Sequence, residues 1–93
     1  MNDNLQQYRQ EIDKIDAGIL DLLDRRMKLA IKIAESKKQI GKLTLDKKRE
    51  DELFAALKEK NKKTSLPDDA VLEIWGEIIE LSKKIQEQWV EGK

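Results

Sequence analysis

The first periodic segment of the chain predicts a helix that is too long for the rest of the chain to cover. From about residue 4 to about residue 40 there is no proline, and apolar residues recur every three or four positions up to Gly41, a typical helix stop. A helix of about 36 residues is about 54 Å long. Gly18 inside it costs about 1 kcal/mol relative to Ala and is consistent with a close helix crossing. Because 93 residues cannot cover such a helix, we expect it to pack against a second copy of the chain.

Two shorter helices are predicted after the loop GKLTL. The first runs from about residue 46 to 62, with Leu53, Phe54 and Leu57 as its narrow apolar face. The second begins near Pro67, which fits a helix's first turn, and continues to about residue 89. Its apolar set is Val71, Ile74, Trp75, Ile78, Ile79, Leu81, Ile85 and Trp89. The sequence therefore predicts an all-α fold of three helices in one domain over residues 1–93, assembled as a homodimer.

The composition excludes several classes of function. Lys and Arg together number 19, as do Asp and Glu, so net charge does not favour a nucleic-acid partner. The chain has no Cys and no His, which excludes disulfides, thiolate chemistry, Cys/His zinc sites and imidazole catalysis, and no EF-hand or Glu-x-x-His spacing indicates another metal site. No apolar run approaches the roughly 18 residues of a membrane span, and the N-terminus is polar. We expect a cytoplasmic protein with no metal and no membrane contact.

An arginine interrupts the apolar stripe of the long helix. Arg26 lies between Leu22 and Leu29 on the face formed by Leu5, Tyr8, Ile12, Ile15, Ile19, Leu22, Leu29, Ile33 and Ile40. A guanidinium stays charged, so burying it without a partner costs several kcal/mol. The partner could be a carboxylate such as Asp24 or Glu50, solvent reached by snorkelling, or a ligand.

Other polar residues lie on faces that should be buried. Lys37 is about 20° around the helix and roughly 16 Å along it from Arg26, and on the third helix Ser82 and Gln86 lie within about 20° of Trp75. Taken singly, these residues are ordinary. Lys37 could be a solvated lysine, Ser82 a small core residue and Gln86 the donor of an interface hydrogen bond. Together with Arg26 they place cations and an amide on the inner faces of two helices, and too few acidic residues lie on these faces to neutralise the cations. This coincidence indicates an anionic ligand.

Two further groups of residues are weaker signals by themselves. Asp46, Arg49 and Glu50 form the first turn of the second helix, where carboxylates are favoured by the helix dipole alone. Arg9 is about 25 Å and about 100° from Arg26 on the same helix, so the two cannot serve one small site within one chain, although an antiparallel dimer could bring them together. The lysine-rich stretch over residues 60–64 is interpreted as a solvated face.

The motifs in order resemble those of the all-helical AroQ class of chorismate mutase. The resemblance rests on R-x-x-I-x-x-I-D at residues 9–16, LLDRRMKLA at 22–30, Lys37, D-x-x-R-E at 46–50 and Ser82-x-x-x-Gln86. It covers nearly the whole chain, and the full set is specific although no single motif is. It implies an intertwined homodimeric bundle with two active sites, each borrowing one arginine from the partner chain. The borrowed residue corresponds to Arg9.

The resemblance also implies an activity: the Claisen rearrangement of chorismate to prephenate in phenylalanine and tyrosine biosynthesis, without cofactor, metal or covalent intermediate. Arg26 and Arg9 would hold the two substrate carboxylates, with Ser82 assisting one of them. Lys37 and Gln86 would donate to the ether oxygen as the C–O bond breaks. The remaining roles concern the ring hydroxyl, which Glu50 and Asp46 would position with support from Arg49.

Three other functions could use a helical dimer of this kind. Isochorismate pyruvate lyase resembles the same class, but the acidic residue at Glu50 favours the mutase. A non-catalytic helical dimerisation module would explain the apolar stripe but not the polar residues that interrupt it. A nucleic-acid-binding helical dimer is disfavoured by the charge balance. Because the chain ends at Lys93 without a dehydratase, dehydrogenase or synthase domain, a stand-alone enzyme is expected.

Overall fold

The described part of the chain consists of α-helices. The computed structural model describes residues 3–38 and 47–91, with side chains for 4–36 and 47–89. Over these residues there are three helices and no strand: α1 (Asp3–Lys38), α2 (Lys47–Asn61) and α3 (Asp68–Glu91). The predicted all-α class is confirmed, and the predicted helix ends that fall in these ranges agree to about two residues. No helix in the described ranges combines the length and apolarity that crossing a bilayer requires.

Helix α3 packs against both α1 and α2. The buried apolar residues come from α1 and α3 and are Met27, Ala30, Ala34, Val71 and Ile79. From α2 the three predicted core residues, Leu53, Phe54 and Leu57, are half-buried. The small side chains of Ala30 and Ala34 let α3 approach the backbone of α1 closely, and this contact fixes the part of α1 that carries Arg26.

The N-terminal half of α1 lies away from this core. The large apolar side chains of its predicted stripe expose between 48% and 60% of their surface; they are Leu5, Tyr8, Ile12, Ile15, Ile19 and Leu22. The radius of gyration is 17.0 Å, compared with about 12 Å for a compact chain of this length. The protomer is therefore elongated, with extents of 60 × 30 × 15 Å, and its longest apolar stripe is uncovered.

The face of α1 that contacts α3 is not centred on the predicted stripe. Leu29 and Ile33, both on that stripe, are 58% and 49% exposed, whereas Ala30 and Ala34 are buried. At 100° per residue, each alanine lies about 100° around the helix from the stripe residue before it, Leu29 or Ile33. Within one chain, α3 thus covers the small-residue flank of the stripe and leaves its large residues open.

A buried asparagine fixes the corner between α2 and α3. The Asn61 side chain donates from Nδ2 to the Leu66 carbonyl at 2.8 Å and to Asp68 Oδ1 at 2.7 Å, and the Thr64 hydroxyl bonds to Asn61 Oδ1. The interpretation of residues 60–64 as a uniformly solvated face is therefore wrong at Asn61, which is buried. Its amide supplies polar partners that the non-helical backbone of the turn requires. Pro67 lies one residue before α3, and its carbonyl accepts from the amide of Val71.

Candidate active site

A cleft of about 660 Å³ is lined by residues of all three helices. This volume is in the range of small-molecule sites, which run from about 300 to 1,000 Å³. Its walls carry apolar side chains together with charged and amide groups: Arg26, Leu29, Ala30, Ile33, Lys48, Arg49, Glu50, Glu52, Leu53, Ile79, Ser82, Lys83 and Gln86. The structure therefore brings five of the predicted site residues to one cleft, namely Arg26, Arg49, Glu50, Ser82 and Gln86.

Arg26 is held in this cleft by a neutral hydroxyl group. Its Nη1 donates to Ser82 Oγ at 2.8 Å, across the contact between α1 and α3. Ser82 Oγ in turn lies 3.1 Å from the Ile78 carbonyl, one turn earlier on α3, to which it can donate its own proton. The chain of two hydrogen bonds orients the guanidinium and neutralises none of its charge.

The carboxylates that could have neutralised Arg26 are engaged elsewhere. Asp24 pairs with Lys28 at 2.8 Å, and Glu50 lies 3.8 Å from Lys83. Within the described ranges, Arg26 forms no ion pair. Partial burial, and after it the nearby charge of Arg49, lower the pKa of the Arg26 guanidinium from its ordinary value. Because a bound anion would offset both effects, the cleft is electrostatically suited to a carboxylate or another anion.

Gln86 spans the same helix pair one turn beyond Ser82. Its Nε2 donates to the main-chain carbonyl of Ala30 at 2.8 Å. This bond uses one of the two amide protons, so the second proton and the amide oxygen remain for a ligand. Gln86 thus ties α3 to α1 and still has a donor to offer in the cleft wall.

The first turn of α2 forms the opposite wall. Only 18% of the Glu50 side chain is exposed, whereas Arg49 is 68% exposed, with its Nη1 4.0 Å from Glu52 Oε1. Glu50 therefore projects into the cleft and Arg49 lies at its rim.

Three predicted site residues are not part of the described cleft. Arg9 lies exposed in the N-terminal half of α1, about 25 Å along the helix from Arg26 at 1.5 Å per residue. The side chain of Lys37 and the whole of Asp46 lie outside the described residues. The predictions for these two residues are therefore untested by the geometry.

The sequence reading missed two cations of the cleft wall, Lys48 and Lys83. Lys48 stands among the exposed lysines of α2 and Lys83 beside the exposed Lys84, and neither interrupts an apolar stripe. One available signal was position: Lys83 follows Ser82 directly, so it borders the face of α3 that contains Ser82 and Gln86.

Comparison with known proteins places the chain in a family. Residues 8–87 match the family model described as chorismate mutase type II. A chorismate mutase of Methanocaldococcus jannaschii is 32% identical over 91 residues, which cover 98% of this chain and 92% of that protein. A bifunctional chorismate mutase/prephenate dehydratase of Aquifex aeolicus is 37% identical over 90% of this chain, which spans 25% of that protein. A protein of the same name from Buchnera aphidicola is 35% identical over 91% of this chain and 22% of its own length. On the family match and the near full-length relative, the chain belongs to the chorismate mutase type II family.

Proposed function

We propose that this protein rearranges chorismate to prephenate in the cleft between its helices. The observation that carries the proposal is the state of Arg26, a half-buried cation fixed by a neutral hydroxyl and without an ion pair in the described ranges. Chorismate carries two carboxylates, and a planar guanidinium can bind a carboxylate through two parallel hydrogen bonds. Arg26 would hold one of them, with the Ser82 hydroxyl beside it.

The amide of Gln86 is proposed to act on the bond that breaks. As the C–O bond of the ether lengthens, negative charge grows on its oxygen, and a fixed donor stabilises this charge more in the transition state than in the ground state. Gln86 Nε2 is fixed by its bond to Ala30 and retains a second proton for this purpose. Lys37 is proposed as the second donor. Together with conformational restriction, such donors would supply the roughly 8 kcal/mol at the lower end of enzymatic barrier lowering.

The first turn of α2 is proposed to recognise the ring hydroxyl. Glu50 is largely buried in the cleft wall, and its carboxylate can accept a hydrogen bond from that hydroxyl. Asp46 is proposed to assist from the start of the helix, and Arg49 to support this wall from the rim. The remaining element is the second carboxylate of chorismate, for which a further cation is needed.

That cation is proposed to be Arg9 of a second copy of the chain. A continuous stripe of large apolar residues on the N-terminal half of α1 is open to solvent in one protomer, as expected of a surface that another molecule covers. An antiparallel arrangement about a two-fold axis would cover both stripes and bring each Arg9 toward the other protomer's Arg26. In this homodimer the whole chain, residues 1–93, would act as one domain with two shared sites.

The test measures chorismate loss by ultraviolet absorbance for the wild type, Arg26→Ala and Arg9→Ala, followed by a mixture of the two variants refolded together. Each variant is expected to lose activity by about a thousandfold, the size of a lost charged contact in a transition state. If sites are shared, half of the dimers in an equal mixture are mixed, and each has one intact site of two. About a quarter of wild-type activity should therefore return.

The matched control is Arg25→Ala, an exposed neighbour that lies 3.9 Å from Asp21 and does not line the cleft. It should retain near wild-type activity. Inactive Arg9→Ala and Arg26→Ala without recovery on mixing would refute the shared site. A wild type that leaves chorismate intact but releases pyruvate from isochorismate would replace the mutase with a lyase.

A further inference from the structure

The cleft contains a lysine to which the proposed chemistry gives no role. Lys83 follows Ser82 on α3, lines the cleft and has a side chain that is 32% exposed. Its Nζ donates to Glu80 Oε1 at 3.3 Å, one turn earlier on the same helix, and lies 3.8 Å from Glu50 Oε2 on α2. Lys83 therefore joins an exposed carboxylate at the rim to the carboxylate in the cleft wall.

The buried end of Glu50 has an unusual environment. Its Oε2 atom is shielded from solvent and accepts no hydrogen bond from the residues that the structure describes. A buried acceptor in this state costs free energy unless a charge or a ligand compensates it. The ammonium of Lys83 is close enough to attract the Glu50 carboxylate but too far away to donate a hydrogen bond to it. The charge of Lys83 therefore holds the shielded end of the Glu50 carboxylate without a hydrogen bond.

Three other cations near Glu50 have different partners. On α2, Arg49 lies at the rim near Glu52, and the exposed Lys47 bonds to Asp51 at 3.1 Å. On α1, Arg26 donates to Ser82. Lys83 is the group on α3 whose contacts reach across the cleft to α2.

We propose that Lys83 is a positioning residue, which attracts the shielded Oε2 of Glu50 and so holds the carboxylate in the cleft wall with its other oxygen left to accept a hydrogen bond from the ring hydroxyl of chorismate. The inference rests on the proposed function and adds a residue to it. Lys83 acts through Glu50 and does not itself touch the substrate. Its removal would let the carboxylate turn toward solvent or toward neighbouring cations, so each binding event would have to reorder it.

The test is a double-mutant cycle on chorismate turnover. Lys83→Met is expected to lower kcat/KM by about tenfold, the size of a coupling between neighbours. Most of the loss should appear in KM, because the hydroxyl contact is made in both the ground state and the transition state. Lys83→Arg should recover kcat/KM to within about threefold of the wild type. In a Glu50→Gln background, Lys83→Met should change kcat/KM by less than about twofold.

The control variant is Glu80→Gln, which removes the other partner of Lys83 and is expected to stay within about twofold of the wild type. Lys83→Gln serves as a second replacement if Lys83→Met does not fold, as judged by circular dichroism. Equal losses from the Lys83 replacement in the wild-type and Glu50→Gln backgrounds would overturn the proposal, as would no loss in either. A wild type without mutase activity would instead refute the proposed function, so the two failures are distinguishable.

Discussion

The two halves of α1 carry the same apolar spacing but have different surroundings. In the N-terminal half, large residues such as Ile12, Ile15 and Ile19 are more than half exposed. In the C-terminal half, Ala30 and Ala34 are buried against α3, and Arg26 lines the cleft. One helix thus has a segment that α3 covers and a segment that none of the residues described by the structure covers.

The difference teaches what a periodic pattern does and does not specify. Spacing of three and four identifies a face that needs cover, but it does not identify the covering element. In the C-terminal half the cover is α3, which packs on small residues and so leaves room for a cleft beside Leu29 and Ile33. In the N-terminal half the large residues point to an external partner, for which we propose a second copy.

The largest expected effect concerns Gln86, whose amide donates to the Ala30 carbonyl in the C-terminal half of α1. Gln86→Glu should lower kcat by about a thousandfold near pH 8, because an ionised carboxylate cannot donate and would face both a carbonyl and the developing oxyanion. A free glutamic acid has a pKa of about 4.3, and these acceptors together with burial raise it. Activity should therefore rise as the pH falls and the side chain becomes protonated.

The protonated carboxyl has one proton where the amide has two, so it can serve either Ala30 or the ether oxygen but not both. Acid activity should consequently stay below that of the wild type. The matched control is Gln88→Glu, at an exposed position two residues further along α3, which should keep the pH dependence of the wild type. Full activity of Gln86→Glu near pH 8 would contradict the assigned role.

The next effect concerns the N-terminal half. Ile15→Gln should weaken the proposed dimer by about 3 kcal/mol for its two copies, because each buried isoleucine contributes about 1.5 kcal/mol or more. Within an isolated protomer the same change should be nearly neutral, since Ile15 is 59% exposed there. Sedimentation equilibrium together with unfolding at several protein concentrations measures the difference. The control is Lys14→Gln, at an exposed position about 100° around the helix from Ile15.

If Ile15→Gln leaves both the molecular mass and the concentration dependence unchanged, the stripe is not a subunit interface. The shared active site would then lose its structural basis. A monomeric wild type would have the same consequence, since Arg9 and Arg26 of one helix are too far apart to serve one small site.

The sequence predicts more of the fold than of the candidate site. The helices followed from apolar period, Gly and Pro, which act locally and therefore show in a single chain. Arg26 was recognisable because a charge interrupts an apolar stripe, and Ser82 and Gln86 because they lie in the stripe of another helix. Their hydrogen bonds to Arg26 and Ala30 were not predictable, since these depend on how α3 is rotated against α1.

Two features of the structure gave no signal in the periodicity. Asn61 stands among lysines and was interpreted as solvated, yet it is buried because the backbone of the turn after α2 needs polar partners. Lys83 resembles the many surface lysines of the chain, and only the packing of α2 against α3 brings it toward Glu50. Both depend on contacts between elements, which residue type and spacing do not encode.

A smaller effect is expected from overpacking the covered half of α1. Ala34 is completely buried against α3, so Ala34→Leu should reduce the free energy of unfolding by about 2 kcal/mol by forcing the two helices apart. The matched control is Lys32→Leu, at an exposed position of the same helix, which should change it by less than about 0.5 kcal/mol. Urea unfolding followed by circular dichroism measures both. A tolerated leucine at position 34 would show that the contact between α1 and α3 is loose.

The smallest effect separates two readings of Gly18 in the uncovered half. A Cβ atom there would meet nothing within 4 Å in the protomer, and the same holds for Gly76 on α3. Gly18→Ala should therefore stabilise the protein by about 0.5 to 1 kcal/mol, through the lower entropy of the unfolded chain and better helix propensity. Gly76→Ala is the matched comparison and should give a similar gain. If Gly18→Ala destabilises the protein while Gly76→Ala stabilises it, a second helix must cross α1 closely at residue 18, and the cover of the N-terminal half would be located to that point.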